Sequence, residues 1–479
     1  MTTRKTRLLA RHRRKKRLLL FLALPVLAGI GLCVGTLWVF PLLLLAWVAH
    51  EAWFSDHLFY TPGADYQYRF GSRARILPTH FAEGRLTLAD EAEPPDADDT
   101  LFLGLRLRCR FSGRFLDPAV VIAANGAEGK DAASADCQTF ERGVAGLRYL
   151  NLTGFANTLK NKGLNLLGQH CRLAGEPVLW CIPNPDYRQK RLLVIAPHAD
   201  DAELAAFGLY SQAKEVWIVT LTAGEIETEH YRRMGFPPAE AARIKGRLRA
   251  WDSIAVPLWG GVPPERCVQL GYFCLQLSAM RVEPEKAIPS REAELCDTRP
   301  FRCCNRIQLV GDADGVPSWK NLLADLRELM ERARPEVIVL PHPCLDPHPD
   351  HVAAHAAVLE ALRASSLRTQ ILLAYANNLH DTDHWPMGEA HRGVALPPLT
   401  ETAEAFTPYV LGLDSECQRD KAMALAMMHD LAPRLPRKHR LRRILQRWLA
   451  CRRHPPYGDN EYFRKAVRRH EVFFQETWK

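Results

Sequence analysis

The stretch Arg191-Leu192-Leu193-Val194-Ile195-Ala196-Pro197-His198-Ala199-Asp200-Asp201-Ala202-Glu203 runs from an apolar segment straight into an imidazole and three carboxylates. Five consecutive apolar residues, Leu192 to Ala196, suit a strand buried on both faces. A helical stretch follows from about Ala202. Further strands read at Val216–Leu221, Glu336–Leu340 and Ile371–Ala376, and helices near Pro238–Ser253, Ser318–Arg334 and Asp350–Arg363. This alternation predicts an α/β unit over residues 190–430, with a doubly wound, mostly parallel sheet. Such sheets bind ligands beyond the carboxyl ends of their strands.

A second polar cluster stands where that rule needs it. His348-Pro349-Asp350-His351-Val352-Ala353-Ala354-His355 follows shortly after the strand ending at Leu340. Imidazoles and carboxylates are good ligands for zinc and other divalent first-row metals. His198 and Asp201 are three residues apart, which suits a loop-to-helix turn folded around one ion. A distant third ligand would close the site and leave a position for water. Asp200 cannot easily reach the same ion in the same geometry, so it is free to act as a base. Helix capping accounts for one aspartate here. It does not account for two aspartates and a histidine at one strand end and three histidines and an aspartate at another.

The two clusters, in this order and about 150 residues apart, resemble the signatures of the LmbE/PIG-L de-N-acetylases. The resemblance spans residues 190–430 and implies a Rossmann-like catalytic domain, a divalent metal with zinc leading, and an N-acetylated sugar as substrate. It implies His198, Asp201 and His351 as metal ligands and Asp200 as general base. It implies His348 as the group that steadies the oxyanion, with Asp350 orienting His348. Lys421 to Leu425 with His429 is similar to the family's closing helix. Ala199 stands where the family has proline, and Leu204 to Gly208 is a reduced version of its glycine-rich stretch. No convincing match to its Arg-and-Glu helix appears around Arg243–Arg249. His351 and His355 share a helix face, which leaves a rival ligand pair in which Asp201 is displaced.

Outside this unit the N-terminus carries the clearest signal. Residues 1–17 hold nine Lys/Arg and no acid; the rest of the chain balances at 54 bases and 54 acids. The net excess thus sits in a terminal tail and not on a domain face, which argues against nucleic acid as a partner. Leu18 to Ala49 carries no charged side chain. That run exceeds the roughly 20 residues of one spanning helix but falls short of two. A single transmembrane anchor over 18–49 is expected, with Pro25 and Pro41 as candidate kinks. The basic flank holds residues 1–17 in the cytoplasm, so a single pass puts the catalytic domain on the far side, of the inner membrane if the chain is bacterial. A re-entrant hairpin would return it.

Residues 60–186 read as β. Leu101, Leu103, Leu105, Leu107, Cys109 and Phe111 are apolar at every second position, with Arg106, Arg108 and Arg110 between, which predicts one wet face. Shorter runs at Ala119–Ile122, Leu147–Leu152 and Val178–Ile182, separated by turn residues, suggest a β-sandwich-like domain. Thirteen cysteines show no disulfide framework and read as scattered thiols. In the basic segment 431–479, Leu441, Ile444, Leu445, Trp448 and Leu449 recur at helical spacing among arginines. That pattern fits an interfacial helix or a helix packing its apolar stripe on the domain.

The expectation is a membrane-anchored, metal-dependent hydrolase that removes an N-acetyl group from an amino sugar of an envelope glycoconjugate, a polysaccharide or a lipid-linked sugar. The alternative is a non-catalytic envelope glycan-binding protein with a degenerate deacetylase domain. Hydrolysis of another amide at the same site is a third reading.

Overall fold

The computed structural model describes residues 4–33, 35–55, 62–125, 135–367, 370–379, 382, 384–400, 404–432 and 435–478. Its first part is helical. One helix runs Arg4–Cys33, with Pro25 inside it, and a second runs Val39–Ala49 and continues as a π turn at His50–Phe54. The break lies at Gly35, whose φ of +110° is open to glycine and strained for other residues. Two segments, Arg13–Cys33 and Thr36–Phe54, are long and apolar enough to cross a membrane by length and composition. The uncharged run 18–49 is thus divided at Gly35 between two helices. The first segment reaches back into the basic tail to Arg13, and the second runs past the uncharged stretch through His50 and Glu51.

Nine strands follow among the described residues: β1 Arg75–Leu77, β2 Thr79–Ala82, β3 Arg85–Leu88, β4 Thr100–Cys109, β5 Ala119–Ala124, β6 Asp136–Thr139, β7 Ala145–Asn151, β8 Leu164–Gln169 and β9 Cys171–Ile182. They form two antiparallel sheets, ordered β1-β9-β4-β7 and β2-β3-β8-β5-β6. Leu101, Leu103, Leu105 and Leu107 of β4 meet Val120, Ile122, Leu164 and Leu166 of the other sheet in one core. The opposite face of β4 is wet only at Arg106 and Arg108. Nearer its start Phe102 is buried too, in a second core with Tyr66, Tyr68, Tyr149, Phe406 and Phe474. Alternation alone could not foresee that cover, because it comes from other elements, two of its residues more than three hundred positions away.

The large sheet contains β10 Arg191–Ala196, β11 Glu215–Thr222, β12 Cys267–Tyr272, β13 Val337–Pro341, β14 Gln370–Tyr375, β15 Pro408–Gly412 and β16 His470–Trp478. Its order is β12-β11-β10-β13-β14-β16-β15. The first five strands are parallel; β16 and β15 add antiparallel. Leu192 and Val194 of β10 face one core, Leu193 and Ile195 the other, which explains the unbroken apolar run. The chain builds outward from β10 to β12, then restarts beside β10 at β13. That reversal opens a crevice between the carboxyl ends of β10 and β13.

The C-terminal segment is not an appendage, because β16 inserts between β14 and β15. It also reaches the helix Asp201–Ser211, whose backbone leaves helical geometry at Ala206. There Glu471 of β16 accepts the N–H groups of Gly208 and Leu209 at 2.8 and 3.0 Å, and Lys421 Nζ lies 2.8 Å from the same carboxylate. Both charged side chains are almost fully buried. All thirteen cysteines are free thiols.

Glu471→Ala would leave Lys421 buried without its counter-ion and two amides unpaired. We expect a loss of about 3–5 kcal/mol in denaturant-measured stability. A change within about 0.5 kcal/mol would show that the kink stands without this carboxylate.

Candidate active site at the β10–β13 crevice

His198 lies two residues beyond β10. Asp200 is the N-cap of the helix Asp201–Ser211, but its side chain makes no capping bond. Its Oδ1 accepts instead from Arg249 Nη2 at 3.2 Å. Asp201 opens the helix and turns back. Its Oδ2 accepts the His198 N–H at 3.0 Å and lies 3.1 Å from both His198 Nδ1 and His351 Nε2. Those two nitrogens are 3.4 Å apart. His351 arrives from the other side of the crevice, in the first turn of the helix Pro349–Arg363.

The outer nitrogens decide what the inner ones offer. His198 Nε2 is 3.2 Å from Asp350 Oδ2, and His351 Nδ1 is 2.9 Å from Asp346 Oδ2. When each ring donates its proton to that carboxylate, His198 Nδ1 and His351 Nε2 present lone pairs to one point beside Asp201 Oδ2. A tetrahedral ion with bonds of about 2.0–2.2 Å has ligand–ligand edges of about 3.3–3.6 Å. The three atoms form a slightly tighter triangle, with edges of 3.1, 3.1 and 3.4 Å. A wider set, His198, His348 and His351, also keeps its donors within 4.8 Å of one another, as does His198, Cys274 and Asp350. We favour the Asp201 set because it is tightest and carries an anionic ligand.

The electrostatics ask for positive charge at this point. Burial works to lower both imidazole pKa values, yet Asp201 and Asp350 hold His198 well above its ordinary value. Asp201 and Asp346 likewise bring His351 to about 9. Asp201 itself is held well below the usual range, burial being outweighed by the two histidines. Asp200 moves the other way: burial raises it, and Arg249 only partly offsets that.

One expectation changes. Asp350 does not orient His348; its Oδ2 takes His198 Nε2, the Leu275 N–H at 2.8 Å and the Cys274 thiol at 3.4 Å. In the first helical turn its side chain swings toward β12's end, away from the N-cap ring. His348 is instead left with a buried Nδ1 that has no partner, its ring centroid 4.9 Å from those of His198 and His351. His355, the rival ligand, hydrogen-bonds the Pro341 carbonyl at 3.0 Å and joins none of the donor sets among the described residues.

Several site residues escaped the sequence reading. Asp346 sits directly before the second motif and also accepts the Asn377 and Asn378 N–H groups. Asn377 Nδ2 donates to Asp201 Oδ1 at 2.8 Å. Arg249 is buried and pairs with Asp430 as well as Asp200. Its signal was available: Lys245, Arg249 and Asp252 form a polar stripe at helical spacing on a helix face that also carries Ala242 and Ala250. Asp252 in turn holds His429 Nδ1 at 2.6 Å. Gly224, with φ +63°, lets the Arg249 side chain lie against the backbone.

Residues 193–362 match the family model of PIG-L, GlcNAc-PI de-N-acetylase. The PIG-L span holds both motifs and every residue of the tight triad, so the resemblance read from the motifs is shown over that span. No curated protein matches the chain. Among solved structures, the A40926 pseudoaglycone deacetylase Dbv21 aligns at 18% identity over 60% of this chain and 97% of that one, with a TM-score of 0.32. The zinc-inhibited form of teicoplanin deacetylase Orf2 aligns at 17% over 60% and 98%, TM-score 0.32. A conserved protein from Thermus thermophilus, TT1542, aligns at 20% over 54% and 88%, TM-score 0.26. Scores this low carry no weight for function.

A Cβ on Gly224 would collide with Arg249 Nε. Gly224→Ala should therefore lower stability by about 1–3 kcal/mol in urea unfolding, through strain at a left-handed position and displacement of a buried ion pair. An unchanged unfolding midpoint would show that Arg249 is free to move.

Proposed function

We propose that this chain is a metal-dependent hydrolase that removes an N-acetyl group from an amino sugar of N-acetylglucosamine type, carried on an envelope glycoconjugate. The observation that carries the proposal is the triangle of His198 Nδ1, Asp201 Oδ2 and His351 Nε2, within a span matching the PIG-L model. In this reading residues 190–430 are the catalytic unit, residues 60–186 a β-sandwich-like module, and zinc the leading metal for an imidazole-and-carboxylate set. The donor chemistry supports a divalent ion held by His198, Asp201 and His351.

A bound ion supplies Lewis acidity to the acetamide carbonyl and to a water. The chain's own residues do the rest. Asp200, held beside the triad by Arg249 and free of capping duty, accepts the proton of the attacking water. His348, whose buried Nδ1 has no protein partner, donates to the carbonyl oxygen where negative charge develops. A proton passed to the leaving nitrogen completes the exchange: one amide and one water become acetate and a free amino sugar. Asp350 and Asp346 steady His198 and His351.

The N-terminal helices serve, in this proposal, as a membrane anchor. Two crossings would return the catalytic unit to the side of the basic tail, the cytoplasmic side. A reporter fused after residue 479 should then be active in the cytoplasm; activity only across the membrane would favour a single pass.

The ligand scheme is tested by three variants. Asp200→Asn should keep its metal and lose activity by about 10²–10⁴-fold. Asp201→Asn should lose the metal. His355→Ala should keep both, apart from a packing cost. Metal content and acetate release from N-acetylated sugars measure all three. Full activity in Asp200→Asn refutes the mechanism, and a metal-free His355→Ala refutes the ligand set. A purified chain that holds metal and binds glycan without releasing acetate would favour the glycan-binding alternative.

A further inference from the structure

The helix Arg437–Leu449 is turned inside out relative to a helix of a soluble domain. A domain-packing helix buries its apolar stripe and leaves its charges in water. Here Leu441, Ile444 and Trp448, on one stripe, are 43%, 54% and 79% exposed. The inward side is polar: Gln446 is buried, Arg442 Nε lies 2.6 Å from Glu51 Oε2, and Arg443 bonds the Asp459 carbonyl. The domain-packing reading of this stripe is thereby excluded.

What the helix sits against matters as much as what it shows. Glu51 belongs to the end of the second apolar segment, Thr36–Phe54. Arg142 Nη1 donates to the Trp53 carbonyl at 2.8 Å, tying the same end to the β-rich region. Close by, Asp117 bonds both Arg142 and Arg452, at 2.7 and 2.9 Å. The turn just before it exposes Phe111 at 76% and Phe115 at 39%, their ring centroids 5.8 Å apart, beside Arg110 and Arg114. Three elements remote in sequence therefore gather at one place: the end of an apolar helix, an outward apolar stripe and an exposed aromatic pair. The helix carries six Lys/Arg and no acid.

We propose that the stripe Leu441–Ile444–Trp448 and the Phe111–Phe115 turn together form a seating face that lies in the interface of an anionic phospholipid bilayer. Apolar side chains at the level of the headgroups, rimmed by arginines, are the physical form of an interfacial helix. Each Lys or Arg near an anionic surface strengthens that attraction. The Arg442–Glu51 pair fixes the helix at the depth where the apolar segment ends. The face rests on the reading that Thr36–Phe54 enters a membrane.

The test uses the full chain in bilayer nanodiscs of phosphatidylcholine, with or without about one third phosphatidylglycerol. Trypsin cleavage after Arg437, Lys438, Arg440 and Arg447 is followed by mass spectrometry. The wild type in anionic discs should be cut there about tenfold more slowly than Ile444→Glu/Trp448→Glu, with neutral discs between them and other cleavage sites unchanged. Both substituted side chains point to solvent, so the core is untouched. Equal rates in a chain that alkaline carbonate fails to extract overturn the seating face alone. A chain that carbonate extracts overturns the membrane reading and the face with it. Protection present in native membranes but lost in lipid-only discs assigns the face to a protein and overturns the proposal.

Discussion

One carboxylate oxygen holds the centre of this molecule together. Asp201 Oδ2 stands between two imidazoles brought from opposite sides of the β10–β13 crevice, and takes a backbone N–H of its own turn as well. An oxygen so placed, in a nearly buried side chain, concentrates negative charge where the two histidines offer lone pairs. Everything around it serves that convergence. Asp350 and Asp346 orient the rings, Asn377 holds the other Asp201 oxygen, and the parallel sheet supplies the crevice. Removing any one supporting group leaves a buried polar atom without a partner, which is why the site and the fold cannot be separated energetically.

The part of this arrangement visible in the sequence is the part encoded locally. β10 could be read because burial on both faces leaves five apolar residues in a row. The ligand clusters could be read because each follows a strand within a few residues. β12 could not, because Gln269 and Gly271 interrupt it; the buried Gln269 side chain donates to the Thr222 carbonyl and Ser253 Oγ and accepts the Gly271 N–H. β16 was hidden for a similar reason, since its Glu471 is a buried ion-pair partner in place of an apolar residue. The partner of Asp350 was misread because adjacency to His348 says nothing about which way a first-turn side chain swings.

The N-terminal helices mark a different limit. A count of uncharged residues treats a membrane segment as ending at its first charge. The structure shows a break at Gly35 and a second helix that runs on to Phe54, with Glu51 satisfied by an arginine almost four hundred positions away. Glu51 lies inside the segment Thr36–Phe54, which stays apolar enough by composition with it, and its charge is paired with Arg442. Composition cannot report such a pairing, whereas the fold can.

The C-terminal run joins these two ends of the molecule. Helix Arg437–Leu449 touches the end of the apolar segment, and the same run continues into β16, inside the seven-stranded sheet. Between them Tyr462 donates to Asn378 Oδ1 at 3.4 Å, and Asn378 N–H donates to Asp346, the carboxylate that orients His351. Glu471 meanwhile takes the amides freed at the kink of the Asp201 helix. A single segment thus contacts the end of the apolar helix at one end and the ligand-orienting groups at the other. Because those contacts are polar hydrogen bonds and ion pairs, partly or fully buried, they are directional in a way that apolar packing is not. The position of the crevice relative to the helices Arg4–Cys33 and Val39–Ala49 is therefore set by short, paired interactions along one segment.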